Sequence, residues 1–173
     1  MLKKDIEKTF KLIMEQHHWS LCRLCYLPKA YVRDIPISPY FVPNIHRTGT
    51  SYFFGGGYLG MLHQQFERDW LSEHPIPRTP RGMANWPCLT LHIANIAALE
   101  TVGYLHPNNT EEGIREFSEV LISLIESMPH DLLSLGKAVR DNTLIGLPLN
   151  TFATLREGID GGEKFRMFCE YVK

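Results

Sequence analysis

Residues 2–26 read LKKDIEKTFKLIMEQHHWSLCRLCY. Leu2, Ile6, Phe10, Ile13, Met14, His17, Leu21 and Leu24 recur at three- and four-residue steps, which is one face of a helix. Lys3, Lys4, Glu7, Lys8, Lys11 and Glu15 cover the opposite face. The pattern predicts a helix from near Lys3 to about Tyr26, with Pro28 as its stop. Lysines open the chain, but charges recur every few residues and no apolar signal-peptide core follows.

Working outward from this stretch, residues 28–50 change character. Pro28, Pro36, Pro39 and Pro43 interrupt Tyr31, Val32, Ile35, Ile37, Tyr40, Phe41 and Val42. Proline removes backbone donors, so a continuous helix is excluded. A short extended edge piece fits near 31–43. A second helix is expected from about Ser51 to Ser72, on the spacing of Leu59, Leu62, Phe66 and Trp70. Gly55-Gly56-Gly57 and Gly60 weaken its start, through close helix packing or through a bend that exposes amide groups. Residues 74–87 hold four prolines and read as an exposed loop. A third helix is expected from Pro87 through Val102, apolar on nearly every side. A fourth, capped by Asn109 or Thr110, carries Ile114, Phe117, Val120, Leu121, Leu124, Ile125 and Met128 to its end at Pro129. Asp131 and Asn150 can cap two shorter helices, and a last one carries Phe165, Phe168, Cys169 and Val172. The expected fold is mainly all-α: one domain over residues 1–173, an irregular helical bundle of five to seven helices with long proline-rich loops.

The 173 residues are 44% hydrophobic and 21% charged, and 18 Lys+Arg against 19 Asp+Glu leave a net charge of −1. That composition excludes intrinsic disorder and argues against bulk electrostatic binding of nucleic acid. No run of about twenty apolar residues exists to span a bilayer. Four cysteines (Cys22, Cys25, Cys88, Cys169) are too few and scattered for a disulfide scaffold, and read as reduced thiols in a cytoplasm.

Several residues carry chemistry worth placing. On the expected first helix, His18, Cys22 and Cys25 fall at i, i+4 and i+7, one face bearing the ligand types zinc prefers, with a fourth ligand such as His46 to come from elsewhere. The same face also suits ordinary packing. His63 and Glu67, at i and i+4, read as a surface ion pair or a proton-sharing pair. His92 and Asn95 are polar residues in an apolar helix and need hydrogen-bond partners there. Thr48-Gly49-Thr50-Ser51 resembles a hydroxyl-rich turn entering a helix, but phosphate-loop and dinucleotide motifs are missing. No Gly-x-Ser-x-Gly or His-Glu-x-x-His motif occurs. Loop aromatics and arginines, by contrast, are the side chains that dominate protein interfaces.

The expected function is therefore a non-catalytic protein-binding domain, such as a small cytoplasmic inhibitor or toxin-immunity protein that covers a partner. The expected contact residues are Tyr40, Phe41, Arg47, Arg78, Arg81 and Trp86. No cofactor is expected, and the partner is another protein rather than nucleic acid or membrane. The alternatives are a zinc-dependent enzyme using His18, Cys22 and Cys25, and a helical nucleic-acid-associated regulator.

Overall fold

A computed structural model describes residues 2–22, 25–29, 37–49, 51–54, 57–74, 87–99, 110–153 and 161–173. The elements in order are α1 (Lys3–Gln16), β1 (Trp19–Cys22), β2 (Cys25–Pro28), β3 (Ile37–Val42), β4 (Ile45–Thr48), β5 (Ser51–Phe54) and β6 (Tyr58–His63). There follow α2 (Gln64–Glu73), β7 (Leu89–His92), α3 (Ala97–Leu99), α4 (Glu111–Glu126), α5 (Leu132–Arg140), β8 (Thr143–Leu144), β9 (Leu147–Pro148) and α6 (Gly161–Val172). Two short 3₁₀ turns occupy Ile93–Asn95 and Leu149–Ala153. Five strands form one antiparallel sheet in the order β1-β2-β3-β6-β7, and β4-β5 and β8-β9 form separate two-stranded ribbons. The fold is therefore mixed α/β, which corrects the all-α helical bundle expected from periodicity.

The structure departs from the helical expectation at residues 17–28. α1 starts as expected, with the Leu2 amide donating to the Asp5 carboxylate at 3.1 Å. It ends at Gln16 instead of Tyr26. His18 takes a left-handed φ of 64°, a common way to end a helix, and the chain turns into a strand. Trp19 to Pro28 then form a hairpin with Trp19 opposite Pro28 and Cys22 opposite Cys25. Over so few residues, Leu21 and Cys25 fit a helical step and a hairpin equally well. Pro28 is the last residue of β2, where a missing N–H is tolerated.

The expected second and third helices fail for a related reason. In β6, Leu59, Met61 and His63 are buried while Tyr58 and Leu62 are half-buried, so the residues with side chains alternate with a period of two and only Gly60, buried as well, departs from it. Only Gln64–Glu73 is helical. The run at Leu89–Leu91 is apolar and buried because it is a strand, β7. Gly57 lies where an added Cβ would sit 3.1 Å from the Phe41 ring and from the Val42 carbonyl, so its role is close backbone approach. The expected fourth helix, the helix capped by Asp131 and the last helix are present as α4, α5 and α6, whereas the helix expected from Asn150 is a 3₁₀ turn over Leu149–Ala153, its expected continuation through Leu155 and Ile159 lying outside the described residues. Thr110 caps α4 by accepting from the Gly113 amide at 3.1 Å, and Asp131 caps α5 by accepting from the Ser134 amide at 2.7 Å.

The chain divides into two compact units. The first comprises residues 1–33, 40–59 and 92–127. Here α1 packs on α4 and on β1, around Phe10. The Phe10 ring lies 5.1 Å from Tyr26, 5.9 Å from Phe41 and 6.2 Å from Phe117, in edge-on or tilted arrangements that aromatic quadrupoles favour. The second comprises residues 34–39, 60–91 and 128–173. In it α6 packs on α2 and α5, with Phe66 edge-on to Phe168 at 5.2 Å. Gly136 of α5 lets the α6 backbone approach, since an added Cβ would fall 2.9 Å from the Val172 carbonyl oxygen.

Candidate functional site

In the second unit, polar chemistry concentrates where β6 turns into α2. His63 is the last residue of β6 and the N-cap of α2, its Nδ1 accepting the Phe66 amide at 3.2 Å. A cap is needed because the first helical amides have no partner within the helix. An accepting Nδ1 leaves the neutral ring's proton on Nε2. That atom is buried and has no hydrogen-bond partner among the described residues. The Tyr171 ring stands perpendicular to the imidazole at 5.1 Å. Burial holds His63 below the ordinary histidine value, with its own backbone and Asp69 acting in the opposite sense.

One helical turn along, Glu67 is only 8% exposed. Its Oε1 accepts the Cys88 amide at 2.5 Å, and its Oε2 accepts from the Lys164 ammonium of α6. Lys164, 3% exposed, also lies over the Trp70 ring at 5.8 Å, within cation–π range. Trp70 stacks on His74 at 3.8 Å. Glu67 thus ties α2 to the start of β7 and to α6. With both oxygens engaged it is poorly placed to take a substrate proton. The expected surface pair His63–Glu67 is replaced by a buried pair between residues 97 positions apart. No helical spacing signals a partner that distant.

In the first unit, the expected His18, Cys22 and Cys25 face does not exist. His18 precedes β1 and is exposed, and three strand residues lie between it and Cys22, a span of about 13 Å in extended chain. Among the described residues, no three His, Cys, Asp or Glu side chains come together where they could hold a metal ion. His92 ends β7 and caps the following 3₁₀ turn, its Nδ1 accepting the Ala94 amide at 3.1 Å. Its ring is perpendicular to Tyr58 at 5.1 Å, and burial followed by His46 lowers its pKa. Asn95, expected beside it in an apolar helix, is exposed. Thr48 and Ser51 pair across β4 and β5, with Gly49 at a φ of 60°, instead of entering a helix.

The expected contact residues part company. Tyr40 and Phe41 are buried in the core. Arg47 is exposed, and its Nε donates to the Gly49 carbonyl at 2.9 Å. Arg78, Arg81 and Trp86 lie outside the described residues.

A surface opening of about 410 Å³ lies between α1 and α4 of the first unit. Asp5, Lys8, Thr9, Leu12, Ile13 and Gln16 line it from α1, and Glu111 and Arg115 from α4. Leu12 is 52% exposed, an apolar side chain among charges of both signs. Arg115 and Glu111 form a 2.7 Å ion pair across one turn. Leu12 interrupts the polar face of α1 and is the one sequence signal for this groove, which none of the described contact residues expected from the sequence (Tyr40, Phe41 and Arg47) lines.

Comparison with protein-family models, curated proteins and solved structures finds no match to this chain. Among the described residues, no helix is long and apolar enough to cross a membrane.

Proposed function

We propose that this chain is a non-catalytic protein-binding domain that acts by covering a partner protein, as a toxin-immunity protein does. The groove between α1 and α4 carries the reading. It sets the half-exposed Leu12 among Asp5, Lys8, Glu111 and Arg115. An apolar centre with a charged rim is the anatomy of a protein contact surface. The lining carries charges of both signs, so the matching surface is a protein segment that presents an apolar anchor flanked by both acidic and basic groups. With two acidic and two basic side chains, the groove offers a phosphate backbone no excess of positive charge.

The experiment captures proteins from the chain's own cells on the immobilised wild type. The captured protein is then purified and its affinity measured for Leu12→Arg and for Leu133→Arg. Leu133 is 79% exposed on α5, outside the groove, and serves as the control. Leu12→Arg is expected to lose binding while Leu133→Arg keeps it, with both far-ultraviolet circular dichroism spectra unchanged. Equal binding by the two variants, or no specific capture by the wild type, would remove the groove reading.

A further inference from the structure

The β1–β2 hairpin keeps Cys22 and Cys25 together, as direct strand partners, while His18 lies before the hairpin. We propose that Cys22 and Cys25 form a two-thiolate site for one soft monovalent metal ion, copper(I), at the end of this hairpin. The two residues are direct partners in the antiparallel register, so their side chains leave the same face. Cys22 is exposed, Cys25 is half-buried, and both are free thiols. The Cys25 thiol donates to the Cys22 carbonyl at 3.6 Å, which sets its sulfur over its partner's backbone.

The type of pairing decides what can bridge them. Pro28 has no N–H, so Trp19 and Pro28 cannot exchange two hydrogen bonds. Alternation along the ladder makes Ser20–Leu27 and Cys22–Cys25 the hydrogen-bonded pairs. The Lys29 amide donating to the His18 carbonyl follows the same alternation. Such pairs are the wide ones, with Cα atoms about 5.5 Å apart. Their Cβ atoms are likewise near the wide end of the range, at about 5 Å or more. A disulfide needs Cβ atoms about 3.5–4.5 Å apart. Two metal–sulfur bonds of about 2.3 Å each span the wider gap without moving the strands.

The ligand set selects the ion. Thiolates favour soft copper(I) and zinc. Structural zinc takes four ligands, and among the described residues no third His, Cys, Asp or Glu joins this pair. Two thiolates alone can satisfy copper(I). Burial, and then the neighbouring Cys22, push the Cys25 thiol up to about 11. A cation between the sulfurs removes that mutual repulsion. Binding is written Cu⁺ + 2 RSH → [Cu(SR)₂]⁻ + 2 H⁺, with no change in oxidation state.

The test titrates the full chain with copper(I) under nitrogen, against bicinchoninate as a coloured competitor. The wild type is expected to withdraw one equivalent, with uptake falling steeply from pH 8 to pH 6 because two protons are released. Cys22→Ser and Cys25→Ser should each lose it, while Cys88→Ser and Cys169→Ser keep it. Circular dichroism and a Cys22→Ala variant separate loss of ligand from loss of fold. Undiminished uptake by Cys22→Ser would overturn the proposal. So would half an equivalent bound with dimerisation, which is a four-thiolate site between two copies. A Cys22–Cys25 disulfide forming readily in air would show the gap to be narrower than the pairing implies, and would overturn it too.

Discussion

Replacing Lys164 by methionine tests whether the buried pair in the second unit tethers its helices. Methionine keeps the length and most of the volume of lysine but removes the ammonium that donates to Glu67 Oε2. The Glu67 carboxylate then stays 8% exposed with only the Cys88 amide at 2.5 Å among its described donors. Breaking a buried pair by removing one partner typically costs about 3–5 kcal/mol. That is a large share of the roughly 5–15 kcal/mol that keeps a protein of this kind folded. At about 2–4 °C per kcal/mol for a chain of this size, the melting temperature should fall by about 6–20 °C. Glu67→Gln keeps an acceptor for the Cys88 amide but removes the negative charge that faces the ammonium, so it should also destabilise. Removing both charges together restores electrical balance, and the double variant should be close to neutral or at most mildly destabilised. The assay is urea unfolding of wild type, both single variants and the double variant, read as a double-mutant cycle. A coupling of several kcal/mol supports the buried tether. Single variants costing under about 1 kcal/mol, the range of an exposed pair, would refute it. So would a double variant whose loss equals the sum of the single losses.

Two further outcomes follow from the same unit. His63 lies below its ordinary value of 6.5 because of burial, so the unfolded chain binds its proton more readily than the folded one. Its stabilisation is therefore present above about pH 6.5 and is lost as the pH falls through the folded value. His63→Asn, whose side-chain oxygen can replace the cap, should flatten the decline in melting temperature between pH 7 and pH 5. An unchanged slope would show that His63 is not the titrating group. Gly136→Ala should lower the melting temperature despite alanine's better helix propensity of about 1 kcal/mol. The added Cβ meets the Val172 carbonyl at 2.9 Å. Forcing such a contact in packed structure typically costs about 1–3 kcal/mol. A melting temperature at or above that of the wild type would mean that α6 yields freely.

What the residues made legible tracks how far their signals reach. α4 is legible because Thr110 caps it, acids fill its first turn and Ile114, Phe117, Leu121 and Ile125 hold one phase over about three turns. α5 announced itself through Asp131 in the same way. The strands failed because each is six residues or shorter, and over such a length three- and four-residue steps can be found in an alternating run. His17 and His18 are where the α1 pattern breaks, and nothing local distinguishes a histidine that continues a helix from one that takes a positive φ. The sheet itself joins β3 to β6 across the intervening β4–β5 ribbon, a long-range pairing without a local signature. For the sites, residue types were right where geometry was wrong. His63 and Glu67 were singled out, but the pairing of Glu67 with Lys164 depends on how α2 and α6 meet. Cys22 and Cys25 were grouped as ligands on a helix, and the hairpin keeps them together while carrying His18 away. Tyr40 and Phe41 had interface chemistry and core positions, since aromatic side chains serve both.

The most direct measurement of the account is amide hydrogen exchange on the full chain, alone and saturated with its captured, purified partner. Slowed exchange should concentrate in residues 5–16 and 111–115, the two faces of the groove. Protection confined to other segments, with α1 and the first turn of α4 exchanging as in the free chain, would contradict it.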